Sequence, residues 1–203
     1  MKDKDVIFIA GYPGAGKGTI CQEYCIHHPD VYHISAGDLI RDVIKEKAKS
    51  DFRHALLTTG DKETKTSPAW VVSGIMSEKI SMEYHQVYLL DGFPQRQEEL
   101  DLFANNQNIH IIGSVFFDAT MSNCVNRMIK RGIRDIELFD KKLSEPEQNA
   151  YYQNRYVRYS ANVPNISNLL SPLGMQKIDA NKAISDVYQQ FTSIVSQFNQ
   201  RRK

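Results

Sequence analysis

Short apolar runs alternate along the chain with stretches whose apolar residues recur at helical spacing. The first run, from Val6 to Ala10, is continuous, β-branched and aromatic, which is typical of a strand buried on both faces of a parallel sheet. Later runs predict four more strands, over residues 32–34, 86–90, 109–117 and 176–178. Helical patterns follow these strands, so the sequence predicts an α/β fold with a parallel five-stranded sheet and helices on both faces.

Caps and helix breakers mark the ends of the predicted helices. Pro29 ends a first helix that begins near Lys17, and Ser35 is a candidate N-cap for the helix that follows the second strand. Ser67 and Pro68 predict another helix start, with Ser67 as N-cap and Pro68 at the first helical position. Further helical patterns cover residues 56–57, 97–103, 121–130 and 184–198.

Two segments lack any such period. Residues 61–66 are polar and indicate a loop. Between Arg131 and Asn149 acidic and basic residues mix without pattern. Because long irregular connections are uncommon in compact domains and are usually functional, this segment favours a mobile lid over a plain surface loop.

Composition narrows the class of protein. The 203 residues include 25 Lys and Arg against 24 Asp and Glu, 41% are hydrophobic, and the mean hydropathy is −0.44. We therefore expect a single domain with a real core, and neither a nucleic-acid binder nor a membrane-spanning protein. The N-terminus has acids where a secretory signal would be basic, so we expect an intracellular, cytoplasmic protein. No heptad seam is visible, and a monomer is the expectation.

The three cysteines indicate free thiols, because their number is odd and no secretory signal is visible. Cys21 and Cys25 lie one helical turn apart and, with His28, could ligate a metal ion. The favoured alternative is that the small thiol side chains fill the buried face of the first helix.

Candidate chemistry begins directly after the first strand. Residues Gly11 to Thr19 read Gly-Tyr-Pro-Gly-Ala-Gly-Lys-Gly-Thr and open the first helix, which is where a phosphate-binding loop lies. Glycines allow backbone N–H groups to surround an anion, and Lys17 can reach the β and γ phosphates of a nucleoside triphosphate. Gly18 separates Lys17 from the hydroxyl of Thr19, so the usual P-loop arrangement for Mg²⁺ cannot be assumed.

This loop resembles that of the nucleoside monophosphate kinases, the adenylate kinase and UMP/CMP kinase family. The resemblance continues in family order through His33-Ile-Ser-Ala-Gly-Asp-Leu-Ile-Arg41 and Tyr88-Leu-Leu-Asp-Gly-Phe-Pro94. It then reaches Arg127-Met-Ile-Lys-Arg-Gly132 and Lys177-Ile-Asp-Ala180. The similar blocks together span most of residues 6 to 198.

The resemblance implies a P-loop NTPase-type fold and an enzyme of nucleotide metabolism. Such an enzyme transfers the γ-phosphoryl of Mg-ATP to a nucleoside monophosphate, so ATP, Mg²⁺ and the monophosphate are its expected partners. The implied division is a core (1–35, 83–130 and 156–203), an acceptor-binding insertion (36–82) and a lid (131–155). The acceptor oxygen is already ionised at neutral pH, so no general base is needed. The protein has to align the two substrates, neutralise their charge and exclude water.

The resemblance also implies roles for individual residues. Those expected to bind ATP are Gly11, Gly14, Ala15, Gly16, Lys17, Gly18, Thr19 and Arg127. Those expected to bind the acceptor are Ser35, Ala36, Arg41, Gly92, Phe93 and Arg96. The catalytic cations are expected to be Lys17, Arg41, Arg127, Arg131 and Arg155. Asp91 would hold Mg²⁺ through water, Thr19 is a second candidate there, and roles for Arg134 and Arg158 stay open.

Departures from the family pattern affect acceptor binding. Gln95 stands where the family motif has an arginine, and Arg96 follows as a possible replacement. Ala36 is typical of UMP/CMP kinases, and Glu99 occupies a position that is usually Gln in AMP-specific members, so we favour UMP or CMP over AMP. The alternatives are an adenylate kinase proper, another small-molecule P-loop kinase, and an impaired nucleotide-binding regulatory protein. The expected lid motif is reduced to Arg134-Asp135.

Overall fold

A computed structural model of the chain describes residues 4–45, 51–58, 67–105, 108–132 and 143–200. Five strands form one sheet in the order β2-β3-β1-β4-β5, and every neighbouring pair is parallel. The strands are β1 (Lys4–Gly11), β2 (Val31–Ser35), β3 (Val87–Asp91), β4 (Ile109–Asp118) and β5 (Gln176–Asp179). The predicted parallel five-stranded sheet is confirmed, with each predicted strand in place.

Sheet register brings the carboxyl ends of the strands to one edge. Ile9 of β1 and Ser35 of β2 both pair with Asp91, the last residue of β3, which lies between them. Since β1 has β3 on one side and β4 on the other, the chain reverses its direction of progress across the sheet at β1. In open α/β sheets ligands bind at such a switch point, outside the carboxyl ends of the strands.

Eight helices are described around the sheet. They are α1 (Lys17–His27), α2 (Ala36–Lys45), α3 (Asp51–Thr58), α4 (Ala69–Met82), α5 (Gln97–Ala104), α6 (Met121–Arg131), α7 (Glu145–Leu170) and α8 (Ile184–Gln200). A 3-10 turn follows α7 at Ser171–Leu173. Most lie within a few residues of the predicted patterns, so the expectation of helices between the strands is confirmed.

The core has two layers because alternate residues of each strand face opposite sides of the sheet. Ile7 and Ile9 of β1 pack with buried residues of α1, α6 and α8 on one face. Val6 and Phe8 pack with buried residues of α4, α5 and α7 on the other. All four side chains are fully buried, which explains why the strand is a continuous apolar run rather than an alternating one.

The start of α4 differs from the prediction by one position. Pro68, rather than Ser67, is the N-cap, and its backbone is extended at φ −57° and ψ 139°. The carbonyl oxygen of Pro68 accepts hydrogen bonds from the N–H groups of Val71 and Val72. Proline fits this place because its fixed φ is compatible with an extended cap, and it has no N–H to leave unpaired.

Helix α7 is the main element that the sequence prediction missed. It begins at Glu145, so the prediction of an irregular connection from Arg131 to Asn149 is wrong for its last five residues. Helix α7 also runs through the expected boundary between residues 155 and 156, so no change of structure marks that boundary. The expected lid motif falls within residues 133–142, outside the described part of the chain, as does the expected loop at 61–66.

A small satellite cluster joins α2, α3 and α4. Its buried members are Ala55, Val71 and Ile75. Phe52 of α3 packs against this cluster, and its ring centroid lies 6.1 Å from that of Trp70 on α4. Trp70 keeps 49% of its surface exposed. These helices therefore have a hydrophobic cluster of their own beside the main core.

All three cysteines are free. Cys21 and Cys124 are fully buried in the core, whereas Cys25 is half-buried, as expected for small apolar fillers. Burial raises the pKa of the Cys124 thiol to about 11, an effect that nearby Lys17 partly opposes. Across the described residues, no helix combines the length and hydropathy that a bilayer crossing requires.

Candidate active site

A cleft of about 1140 Å³ opens at the carboxyl edge of the sheet. The phosphate loop forms its floor, α2 and α5 border one end, and α7 borders the other side. The predicted site residues that line it are Gly11, Gly14, Ala15, Gly16, Lys17, Gly18, Thr19, Ser35, Ala36, Arg41, Asp91, Gly92, Arg96, Arg127, Arg131 and Arg155. Segments far apart in sequence thus meet at one place, as parallel strands with a common carboxyl edge require.

Backbone geometry explains the glycines of the loop. Gly14 has φ +84°, and a Cβ atom there would lie 2.4 Å from the carbonyl oxygen of Cys124. Gly11 has φ +139°, and a Cβ atom there would lie 2.4 Å from the carbonyl oxygen of Phe117. Side-chain-bearing residues would clash at both positions and would be strained in these conformations. The loop therefore folds tightly against β4 and α6 before α1 begins.

Lys17 lies inside this loop. Its Nζ donates hydrogen bonds to the carbonyl oxygens of Gly11 (2.7 Å) and Tyr12 (3.1 Å) and lies 4.0 Å from Oδ1 of Asp91. Burial lowers the pKa of Lys17, and the Asp91 carboxylate partly opposes that effect. The ammonium group is thus held at the N-terminus of α1, where backbone N–H groups also favour an anion.

Asp91 ends β3 beside the loop and is 9% exposed. Its Oδ2 lies 3.6 Å from Nε2 of His33, a side chain that is 8% exposed. That Nε2 has no hydrogen-bond partner among the described residues. The oxygens of Asp91 and of Thr19, which is exposed in the cleft, are the hard ligands that Mg²⁺ prefers. The described residues hold no cluster of three His, Cys, Asp or Glu, so an ion bound here would take its other ligands from water and phosphate.

Arginines approach the cleft from several elements. Arg41 on α2 pairs with Asp38, and the N–H of Asp38 is in turn capped by Oγ of Ser35 at 3.3 Å. Arg127 on α6 donates to the carbonyl oxygens of Ala15 (3.3 Å) and Ala180 (2.9 Å). Arg127 therefore bridges the phosphate loop and the end of β5. Ser35 is confirmed as the cap of α2.

Arg96 lies in the cleft but is engaged with its own helix. Its Nε donates to Oε1 of Glu99 at 3.0 Å, and its Nη2 donates to Glu99 and, at 2.7 Å, to the carbonyl oxygen of Ser67. Oε2 of Glu99 accepts from the N–H of Gln95 at 2.8 Å. The Glu99 side chain is 5% exposed. This buried carboxylate neutralises Arg96 and fixes the start of α5.

Phe93 does not reach the cleft. The residue is 1% exposed, and its ring packs against Phe8 (6.1 Å between centroids) and Phe103 (5.1 Å) in edge-on geometry. Its position directly after β3 turns it into the core layer beneath the loop. Phe93 therefore belongs to the core layer, and it is not among the described residues that line the cleft.

An aromatic cluster joins α7 to the phosphate loop, and the sequence prediction missed it. Tyr12 stacks on Tyr156 with ring centroids 4.6 Å apart and an interplanar angle of 11°, and it meets Tyr159 edge-on at 5.8 Å. The hydroxyl of Tyr159 accepts from the N–H of Gly11 at 3.1 Å, and the hydroxyl of Tyr156 donates to Ala119 at 2.9 Å. Burial raises the pKa of Tyr156 to about 12. The rings fix α7, and with it Arg155, relative to the loop.

The start of α7 carried a signal that could have revealed it. Ser144 and Glu147 form a capping box, in which the Glu147 carboxylate accepts from the N–H of Ser144 at 2.8 Å. Ser-x-x-Glu followed by periodic apolar residues is a helix-start signature. The stripe that follows includes Tyr152, Tyr156 and Tyr159, which are the residues that contact the core and the loop.

Comparison with known proteins places this geometry in context. The family model described as adenylate kinase matches residues 9–202. UMP-CMP kinase 3 of Oryza sativa subsp. japonica is 28% identical over 201 residues, covering 97% of this chain and 88% of that protein. UMP-CMP kinase 3 of Arabidopsis thaliana is 29% identical, covering 96% and 91%. UMP-CMP kinase of Homo sapiens is 27% identical, covering 93% and 95%.

Proposed function

The chain belongs to the adenylate kinase family of phosphotransferases, and we propose that it transfers the γ-phosphoryl group of Mg-ATP to UMP or CMP in preference to AMP. The observation that carries the proposal is the cleft itself. It combines a glycine loop, Lys17 at a helix N-terminus and arginines from three further helices. Such a set of donors suits two phosphate groups that face each other.

Charge supports the proposed reaction. ATP and a nucleoside monophosphate together carry roughly six negative charges, of which Mg²⁺ offsets about two. In our proposal Lys17, Arg41, Arg127, Arg131 and Arg155 offset the rest as the acceptor oxygen approaches the γ phosphorus in line. The acceptor phosphate is already ionised at neutral pH, so the described residues need to hold and align it rather than remove a proton.

Magnesium would supply charge neutralisation at the transferring phosphate. We propose that Asp91 holds it through water, with the hydroxyl of Thr19 as a further candidate. The donor set on the protein is oxygen, and the Asp91 carboxylate is fixed between Lys17 and His33. Residues 36–82 would bind the acceptor, since Ser35, Ala36 and Arg41 border that end of the cleft.

The preference for a pyrimidine rests on Ala36, on Glu99 and on the relatives. Ala36 is 4% exposed at the first turn of α2, and the relatives named above are all called UMP-CMP kinases. Glu99 is committed to Arg96 and the N–H of Gln95, so its carboxylate offers no amide donor to a base. Adenine would therefore gain no amide hydrogen bond from this position, which leaves AMP without the support that a glutamine would give.

The test is a phosphotransfer assay with Mg-ATP against UMP, CMP, AMP, GMP, dTMP and the deoxy forms, with products separated by chromatography. We expect UMP or CMP to give the highest kcat/KM. Lys17→Met serves as the control, because it keeps the length of the side chain and removes the charge. Turnover that persists in Lys17→Met at the original rate would assign the activity to a contaminant.

Each alternative makes a different prediction in the same assay. A preference for AMP would make the chain an adenylate kinase proper and remove the meaning given to Ala36. Turnover with a non-nucleotide acceptor alone would indicate another small-molecule kinase. ATP binding without transfer to any acceptor would indicate a regulatory protein.

A further inference from the structure

Cations at the acceptor end of the cleft are largely engaged by the protein's own acids. Arg41 is paired with Asp38, and Arg96 is paired with the buried Glu99. Gln95, between Arg96 and the glycine that follows β3, is neutral and donates its amide to the carbonyl oxygen of Gly92 at 3.0 Å. A dianionic phosphate at this end would therefore be held more strongly with a further cation whose donors are uncommitted.

Arg158 meets that requirement. It lines the cleft from α7, is exposed, and has no hydrogen bond or ion pair with any described residue. Arginine carries five N–H donors in a planar fork that matches a phosphate group in two-point contact. An anionic ligand in the cleft would give this exposed fork a partner.

The helix places Arg158 between the phosphate loop and the acceptor end of the cleft. Asn162, one turn further along α7, also lines the cleft, and its Nδ2 donates to the backbone carbonyl oxygen of Gln95 at 3.4 Å. Residues four apart lie on the same face of a helix and about 6 Å apart along its axis. Arg158 therefore lies one helical turn before the residue that contacts Gln95, on the face of α7 that lines the cleft.

The aromatic cluster makes this position rigid. Tyr156 and Tyr159, on either side of Arg158 in sequence, are fixed by Tyr12 and by hydrogen bonds to Ala119 and Gly11. The backbone of Arg158 is thus positioned relative to the phosphate loop before any ligand arrives. Rigid placement lowers the entropy that binding would otherwise cost.

We propose that Arg158 binds the phosphate group of the acceptor nucleotide. This inference rests on the proposed function and deepens it. In this proposal α7 supplies the positive charge that the loop after β3 lacks, because Gln95 is neutral. Arg158 then contacts the acceptor from α7 and Arg41 contacts it from α2, so that the two guanidinium groups hold the phosphate from two helices.

The test compares Arg158→Ala with the unaltered protein in equilibrium titrations and in steady-state kinetics. We expect the dissociation constant and the KM for UMP or CMP to rise roughly ten- to one hundredfold, as for loss of a charged hydrogen bond. The KM for ATP and the affinity for uridine or cytidine, which lack the phosphate, should not change. Arg158→Lys should recover part of the loss, and Lys130→Ala, an exposed cation on α6 outside the cleft, should have no effect.

A second variant tests the placement. Gln95→Arg in the Arg158→Ala background restores a guanidinium to the segment that α7 contacts at Gln95, and we expect the KM for the acceptor to fall again by roughly tenfold. Absence of rescue would overturn the placement beside Gln95.

Other results would overturn the inference as a whole. These are equal affinity of the unaltered protein and Arg158→Ala for the monophosphate, a rise in the KM for ATP alone, and an equal loss of affinity for nucleoside and monophosphate. The proposed function fails separately, if the unaltered protein forms no nucleoside diphosphate. The titrations decide the role of Arg158 whichever result the transfer assay gives.

Discussion

Replacing the buried Glu99 by glutamine tests whether this carboxylate organises the acceptor end of the cleft. Oε1 of Glu99 accepts from Nε and Nη2 of Arg96, and Oε2 accepts from the N–H of Gln95. Glu99→Gln keeps the shape but replaces one acceptor oxygen by an NH₂ group. That group faces an N–H donor, so at least one charged hydrogen bond is lost and two donors are brought together.

The magnitude follows from burial. A hydrogen bond to a charged group contributes about 1.5–3 kcal/mol, and Glu99 is only 5% exposed on its side chain. The Arg96 side chain is 37% exposed and can be partly solvated once released, which reduces the loss. We therefore expect the free energy of unfolding to fall by about 2 kcal/mol, and the Tm to fall by roughly 4–8 °C in a chain of this size.

Thermal and urea unfolding measured side by side with Glu98→Gln is the appropriate assay. Glu98 precedes Glu99 in the same first turn of α5 but is exposed, so the control removes the same charge at nearly the same distance from the helix end. The contribution of the helix dipole is thereby common to both variants. We expect Glu98→Gln to change stability by no more than about 0.5 kcal/mol.

A double-mutant cycle with Arg96→Met isolates the pair. We expect a coupling energy of about 1–2 kcal/mol, because the two residues share two hydrogen bonds. A coupling below about 0.5 kcal/mol, or equal effects of Glu99→Gln and Glu98→Gln, would refute the reasoning. In that case the buried carboxylate is not what fixes Arg96.

Three further predictions concern the loop and the thiols. Lys17→Met should lower kcat at least about a hundredfold while circular dichroism stays native, and near-normal kcat would contradict its place in the site. Gly14→Ala should lower the free energy of unfolding by roughly 2 kcal/mol and weaken ATP binding. Gly18→Ala is the control, because its Cβ would meet nothing closer than 3.8 Å, and it should leave stability nearly unchanged. Equal melting temperatures of the two variants would contradict the backbone strain at Gly14. The pKa of Cys124 is raised from about 9 to about 11, so the unfolded thiol ionises first, and this thiol alone should lower stability by about 1.4 kcal/mol per pH unit between these values. Cys21 and Cys25, whose pKa values burial also raises, keep their own contributions, so Cys124→Ala should reduce the total slope in denaturant titrations by about that amount. An unchanged slope would assign it to other groups.

The strands and the phosphate loop could be predicted from the sequence because each depends on local pattern. A strand buried on both faces has to be apolar throughout, as Val6 to Ala10 is, and the loop needs glycine where the backbone takes positive φ. The same reasoning placed Ser35 as a cap. These features are fixed by a few neighbouring residues, so the sequence displays them directly.

Helix α7 was missed because its apolar stripe is made of tyrosines and is interrupted by Pro164. Tyrosine is amphipathic, so a stripe such as Tyr152, Tyr156 and Tyr159 is weak on a scale that counts apolar residues. Contacts between residues that are far apart in sequence could not be predicted, for a different reason. Arg96 is held by a carbonyl oxygen of Ser67, which lies 29 residues earlier and meets it only after α4 has packed on α5.

Trp70 gives the protein a built-in optical reporter. It is the sole tryptophan of the chain, half exposed on α4 and close to the ring of Phe52 on α3. The same helix contributes Val72 to the cleft wall. Indole emission shifts in colour and intensity with the polarity around it, so ultraviolet fluorescence of the unlabelled protein would follow rearrangement of α3 against α4 in real time. Stopped-flow traces at this wavelength could separate the arrival of each nucleotide from the chemical step.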